Sequence, residues 1–86
     1  MGEHRAALEK IMRICAESRT YSRRTQVINN VAMTALGMTE NQRHQVHIEI
    51  MDRVGDEPLK EAYLKRKAKQ DARFAAYVQR AEEVAA

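Results

Sequence analysis

The chain has 86 residues, of which 44% are hydrophobic and 31% charged, and its formal net charge at pH 7 is +3. This length permits one domain with a thin core, and the hydrophobic fraction excludes a disordered protein. The single cysteine, Cys15, excludes an internal disulfide, and the sequence shows neither an apolar run long enough to span a membrane nor the apolar core of a secretory signal. These features favour a small folded protein of the cytoplasm, and its size and its alanine and arginine content suit a bacterial or phage origin.

The spacing of apolar residues predicts a first helix from about residue 4 to 18 and a second from about 22 to 36. In the first helix, Cys15 shares an apolar face with Leu8 and Ile11, which predicts a buried thiol. The second helix begins at Ser22, a residue type that caps helix N-termini, and Gly37 ends it. The side chains of this helix that we expect to face the core are Val27, Ile28, Val31, Ala35 and Leu36.

The second half of the chain predicts two more helices. A third helix, from about residue 40 to 54, follows Thr39, whose spacing to Gln42 matches a capping box, and Gly55 ends it. The fourth helix, from about residue 57 to 84, opens with acidic residues and Pro58 and is roughly 40 Å long. We therefore expect an all-α fold in one domain, 1–86: a small bundle of three short helices followed by one long C-terminal helix.

Basic residues follow one face of the predicted fourth helix. The basic stripe consists of Lys65, Lys69, Arg73 and Arg80, spaced i, i+4, i+8 and i+15, with Arg66 at its edge. Acidic residues stay out of this sector until close to the C-terminus. The stripe predicts an anionic partner, either the phosphates of DNA or RNA or an acidic protein surface. The alternative is a solvated face that only keeps the protein soluble.

A second basic element is the connector between the first two helices. If Ser22 caps the second helix, Arg23 and Arg24 lie in its first turn, and Arg19 lies shortly before it. Free backbone N–H groups, a hydroxyl and guanidinium groups together suit a phosphate or a carboxylate. The neighbouring Tyr21 either stacks on a base or covers the end of the core. In the alternative interpretation, the arginines extend into solvent or pair with a glutamate.

The region around the third helix resembles part of a helix-turn-helix motif, with a small residue, a turn glycine and flanking apolar residues between positions 30 and 39. An arginine at a core position, Arg43, and a spacing one residue too long weaken this resemblance. A helix-turn-helix would expose Asn41, Arg43 and His44 for contact with base edges or a partner. It would also expose Glu40 and His47.

Glu40, His44 and His47 have a spacing that is compatible with a zinc site, but no second cluster of ligands completes it. We interpret both histidines as solvent-exposed and expect no metal.

The fourth helix also has an apolar side, which includes Leu59, Tyr63, Phe74, Tyr77 and Ala81. Lysines at positions 60 and 67 and an aspartate at 71 interrupt it. Part of this side is therefore expected to be half-buried or to meet a second chain, and a homodimer through the C-terminal helix stays open.

The sequence contains no catalytic motif, no glycine-rich phosphate loop and no signal for a cofactor, and an apolar side rich in alanine argues against membrane binding. We predict a small non-catalytic nucleic-acid-binding or regulatory protein that uses its basic face. The alternative is a protein-binding adaptor or inhibitor that docks on an acidic or nucleic-acid-binding surface of a larger complex.

Overall fold

A computed structural model describes residues 2–85, which form four α-helices and no strand. The helices are α1 (Gly2–Glu17), α2 (Arg23–Ala35), α3 (Glu40–Val54) and α4 (Glu57–Ala85). The predicted all-α class is confirmed. None of these helices combines the length and the apolarity that crossing a membrane requires.

The helix boundaries depend on local capping interactions that the sequence predicted. The Ser22 hydroxyl accepts a hydrogen bond from the backbone N–H of Thr25 at 3.3 Å and caps α2. At the start of α3, Thr39 Oγ1 accepts from the Gln42 N–H at 3.2 Å, and Gln42 Oε1 accepts from the Thr39 N–H at 2.8 Å, which completes the capping box. Gly37 and Gly55, with φ of 81° and 77°, occupy the left-handed region after α2 and at the end of α3.

The core lies where α1, the α1–α2 connector and α3 meet. Cys15, Tyr21, Ile50 and Met51 are buried together, and burial raises the pKa of the Cys15 thiol. Partly buried side chains pack against this cluster; they are Ile11, Ala16, Val46, Ile48, Val54, Leu59 and Tyr63. Cys15 is therefore a packing residue, as predicted.

The prediction for the buried face of α2 is wrong. Val27, Ile28 and Val31 are about half exposed or more, and Ala35 is exposed as well, while Leu36 is half-buried. The buried side chains of α2 are Gln26, Asn29, Ala32 and Met33. The reason is that Tyr21 is fully buried and needs hydrogen-bond partners: Gln26 Nε2 donates to its backbone oxygen at 3.0 Å and Asn29 Nδ2 to its hydroxyl at 2.8 Å.

The last helix extends well past the body of the protein. Leu59 and Tyr63 are half-buried against the core, but every described residue of α4 after position 67 is exposed. We call residues 68–85 the α4 tail. The radius of gyration is 15.5 Å, whereas a compact domain of this length has about 12 Å. The expected half-buried apolar side of α4 is therefore confined to its first part, within the described chain.

Because α2 buries Met33 and exposes Val31, truncating these two apolar side chains should affect stability differently. Met33→Ala should lower the free energy of unfolding by about 2–5 kcal/mol, because Met33 is fully buried. Val31→Ala should change it by no more than about 0.5 kcal/mol, because Val31 is 63% exposed. Urea unfolding followed by circular dichroism measures both. Equal losses in the two variants would contradict the orientation of α2.

Candidate functional site

A cleft of about 260 Å³ opens between α2, α3 and the middle of α4. Its lining comes from all three helices, so it exists only in the folded chain. The lining residues are Arg23, Gln26, Val27, Asn30, Val31, Glu40, Arg43, His44, His47, Tyr63, Arg66, Lys67 and Gln70.

The cleft is strongly cationic. Arg23, Arg43, Arg66 and Lys67 line it, and Glu40 is the acidic residue among its lining side chains. Lys67 Nζ lies 3.4 Å from Glu40 Oε1 and 3.3 Å from an oxygen of a neighbouring aspartate, so its charge is largely neutralised. The three arginines have no carboxylate partner within salt-bridge distance among the described residues. Positive charge therefore exceeds negative charge inside the cleft.

Arg66 is positioned by a side-chain hydrogen bond. Its Nη2 donates to Gln26 Oε1 at 3.1 Å, and Gln26 in turn donates to the backbone of Tyr21. Burial, followed by the nearby positive charge of Arg23, lowers the pKa of Arg66. Two cations that share a partly desolvated site repel each other, and an anion placed between them would offset that repulsion.

The floor of the cleft is aromatic. His44 and Tyr63 stack with ring centroids 5.6 Å apart, and His44 Nδ1 is hydrogen-bonded to the Tyr63 hydroxyl at 2.7 Å. The ring of His47 lies 5.5 Å from that of Tyr63. Burial raises the pKa of Tyr63 to about 12, so this phenol stays protonated and able to donate. The floor thus fixes the positions of α3 and α4 relative to each other.

Below the floor, a chain of hydrogen bonds runs through the interior. Asn29 Nδ2 donates to the Tyr21 hydroxyl oxygen, and the same hydroxyl lies 2.5 Å from His47 Nδ1. Tyr21 then donates to Nδ1, which places the proton of the neutral ring on Nε2. Burial, followed by the nearby His44 and Arg43, lowers the pKa of His47 to about 4, and burial raises that of Tyr21 to about 12. His47 is therefore neutral near pH 7.

These contacts correct two predictions about side chains. His44 and His47 were predicted to be solvent-exposed, but His44 is half-buried and His47 is buried, because each hydrogen-bonds a tyrosine. Of the two alternatives for Tyr21, contact with a base or partner is wrong and a place in the core is right, because the side chain is fully buried and its hydroxyl is already hydrogen-bonded. His44 itself still lines the cleft and stays available to a ligand.

The structure brings the two predicted basic elements together at one point. Arg23 from the start of α2 and Arg66 from the edge of the stripe both line the cleft. Apart from the buried Tyr21, the predicted residues that lie outside the cleft are exposed: Arg19, Arg24, Asn41, Lys65, Lys69, Arg73 and Arg80. Two predicted residues of α3, Arg43 and His44, line the cleft. Arg43 is half-buried there, and its Nη1 donates to the backbone oxygen of Met38 at 2.7 Å.

The helix-turn-helix interpretation fails at His47. That motif would expose this residue on the recognition surface, but here it is buried against Tyr21. The corresponding face of α3 forms the floor of the cleft and packs on α4, so it is not free to enter a groove.

Sequence reasoning missed Lys67 and Gln70 as site residues. In the sequence pattern, Lys67 only interrupts the apolar side of α4. The sequence does carry one indication that Lys67 belongs to a site. A cation on the packing face of a helix needs an acidic partner or a cleft. Here it has both, in Glu40 and in the cleft itself.

Comparison with protein-family models, with curated proteins and with solved structures finds no match for this chain. The cleft and the surface next to it are therefore the guides to what the protein binds.

The buried His47 predicts a stability that falls in mild acid. Its pKa in the folded state is about 4, below the ordinary value of 6.5. Above the ordinary value the ring is neutral in both states, and its contribution to stability is complete. Between the two values only the unfolded state binds the proton, so the free energy of unfolding should fall as pH decreases, by about 1 kcal/mol per pH unit.

Urea unfolding at a series of pH values measures this dependence. His47→Gln should remove this part of the slope, because glutamine accepts a hydrogen bond but does not titrate. His4→Gln, at an exposed position on α1, is the matched control and should keep the slope of the unmodified protein. A slope unchanged in His47→Gln would contradict the assignment.

Proposed function

We propose that this protein is a non-catalytic nucleic-acid-binding protein whose cleft holds backbone phosphates. The observation that supports this proposal is the lining of the cleft, where four basic side chains from three helices meet one acidic side chain. Guanidinium groups bind phosphate oxygens with two parallel hydrogen bonds, and three of the four basic residues are arginines.

The electrostatics of the free protein favour an anion in this place. Holding Arg23 close to Arg66 is unfavourable in the absence of a ligand, which is the origin of part of the lowered pKa of Arg66. A phosphate between the two guanidinium groups replaces repulsion with two attractions. Because Gln26 orients Arg66 through a hydrogen bond at 3.1 Å, little side-chain entropy is lost on binding.

The positively charged surface extends beyond the cleft. Lys69 and Arg73 follow Arg66 on the next two turns of α4 and are exposed. They extend the positive surface from the cleft along the α4 tail, as a strand with regularly spaced phosphates requires. The basic stripe therefore supplies additional phosphate contacts in this proposal.

Anisotropy of labelled oligonucleotides tests the proposal. The double variant Arg23→Gln with Arg66→Gln should weaken binding at low salt at least about tenfold and reduce the slope of log K against log salt by about 2, since each phosphate contact contributes about 0.9. The matched control, Arg5→Gln with Arg13→Gln, removes the same charge from exposed positions on α1. It should leave most of the affinity intact.

Two outcomes would contradict the proposal. One is the absence of binding to DNA and RNA at low salt. The other is an equal loss in the α1 control, which would mean that only net charge matters. Circular dichroism of each variant confirms that the helices remain.

A second candidate has its own supporting observation. Val27 and Val31 line the cleft and are exposed, so its edge is apolar as well as cationic. An acidic amphipathic segment of another protein would use both properties, and the protein would then act as an adaptor or inhibitor. Val27→Ser with Val31→Ser separates the two candidates: nucleic-acid binding should change by no more than about twofold, because phosphates make no use of valine. Absence of nucleic-acid binding to the unmodified protein, together with binding of an acidic amphipathic peptide that these two substitutions weaken, would favour the protein partner.

A further inference from the structure

The α4 tail carries aromatic side chains that nothing in the described chain covers. Phe74 is 69% and Tyr77 64% exposed. They lie in the same sector of α4 as Leu59 and Tyr63, which pack against the core. The packing face of α4 thus continues beyond the body into solvent.

Basic residues lie beside these aromatic rings. At 100° per residue, Tyr77 falls between Phe74 and Arg73 around the helix. Arg80 lies about one turn beyond Tyr77 and about two turns beyond Arg73, in the same sector as Arg73. Two acidic residues of the tail, Asp71 and Glu82, lie in the sector on the far side of Phe74, and Glu83 enters the sector of the stripe only after Arg80. The rings are therefore bordered by positive charge on one side.

The cleft and this surface are continuous. Gln70 lines the end of the cleft on α4, and Phe74 lies one turn after it. Phosphates in the cleft would be followed by phosphates near Arg73 and Arg80, with the bases directed at Phe74 and Tyr77. Arginine along one edge and aromatic rings beside it are the two elements that single-strand binding surfaces combine.

We propose that the ligand of this protein is a single-stranded nucleic acid, DNA or RNA, whose bases stack on Phe74 and Tyr77 while its phosphates contact Arg73 and Arg80. This inference rests on the proposed function. A duplex fits less well, because its bases are stacked on one another and offer only their edges in the grooves. Unpaired bases present the faces that exposed aromatic rings bind.

The absence of tryptophan from the chain makes a direct test available. Phe74→Trp keeps an aromatic ring at the position and adds a unique fluorophore. Stacking of a base should quench its emission on addition of single-stranded DNA or RNA, and a duplex of the same sequence should leave it nearly unchanged. Leu64→Trp, at an exposed position outside the aromatic sector, is the matched control and should not respond.

Affinity provides a second readout. Phe74→Ala with Tyr77→Ala should weaken single-strand binding by about tenfold or more, and Phe74→Trp with Tyr77→Phe should restore it, since base stacking needs a ring at each position. The exposed tail makes no core contacts, so both variants should fold. Leu64→Ala, at an exposed position outside the aromatic sector, is the control for loss of an apolar side chain and should bind like the unmodified protein.

The outcomes separate this inference from the proposed function. If Arg23→Gln with Arg66→Gln abolishes binding but the emission of the Phe74→Trp variant does not respond, or single strand and duplex bind equally, the inference is wrong and the proposed function stands. If no nucleic acid binds, both fail. A shift in the emission of the Phe74→Trp variant with protein concentration alone would show a second copy on the tail, as in a homodimer through the C-terminal helix, and would also overturn the inference.

Discussion

The arrangement of this protein depends on the burial of one tyrosine hydroxyl. Tyr21 lies in the connector between α1 and α2, and its side chain is completely excluded from solvent. A buried phenol without hydrogen-bond partners would cost several kcal/mol on apolar transfer scales, about 2–7. Asn29 and His47 hydrogen-bond the hydroxyl, and Gln26 donates to the backbone oxygen of Tyr21. Together these contacts determine which face of α2 points inwards. The valines of α2 are left outside as a consequence.

The same interactions position the cleft. Gln26 contacts Tyr21 with its amide nitrogen and Arg66 with its amide oxygen, so one side chain joins the interior to the cationic surface. His47 does the same from α3, with Tyr21 below it and the ring of Tyr63 beside it. The polar interior therefore orients the side chains that face a ligand, and core and site are not separate structures here. One buried atom, Asn29 Oδ1, has no hydrogen-bond partner among the described residues.

The sequence predicts the local features of the fold well and the long-range ones poorly. Ser22, Thr39, Gly37 and Gly55 act through neighbours within a few residues, so their roles as caps and helix ends follow from the sequence alone. The face that α2 buries does not follow from the sequence. Hydrophobicity points to the valines of α2, and the decisive partner of Tyr21, His47, lies 26 residues away along the chain. The cleft joins Arg23 and Arg66 from two elements, and no spacing rule within one helix reveals that meeting.

A polar interior also changes how this protein responds to temperature. Among the described residues, six hydrophobic and three polar residues are buried, so polar residues form a third of the buried set. Exposure of apolar surface on unfolding raises the heat capacity, and exposure of polar surface lowers it. The buried polar groups therefore lower the heat-capacity change of unfolding below that of an interior of the same size made of apolar side chains alone. A smaller heat-capacity change flattens the curve of stability against temperature. Cooling should therefore weaken this fold less than it weakens a fold whose core is entirely apolar.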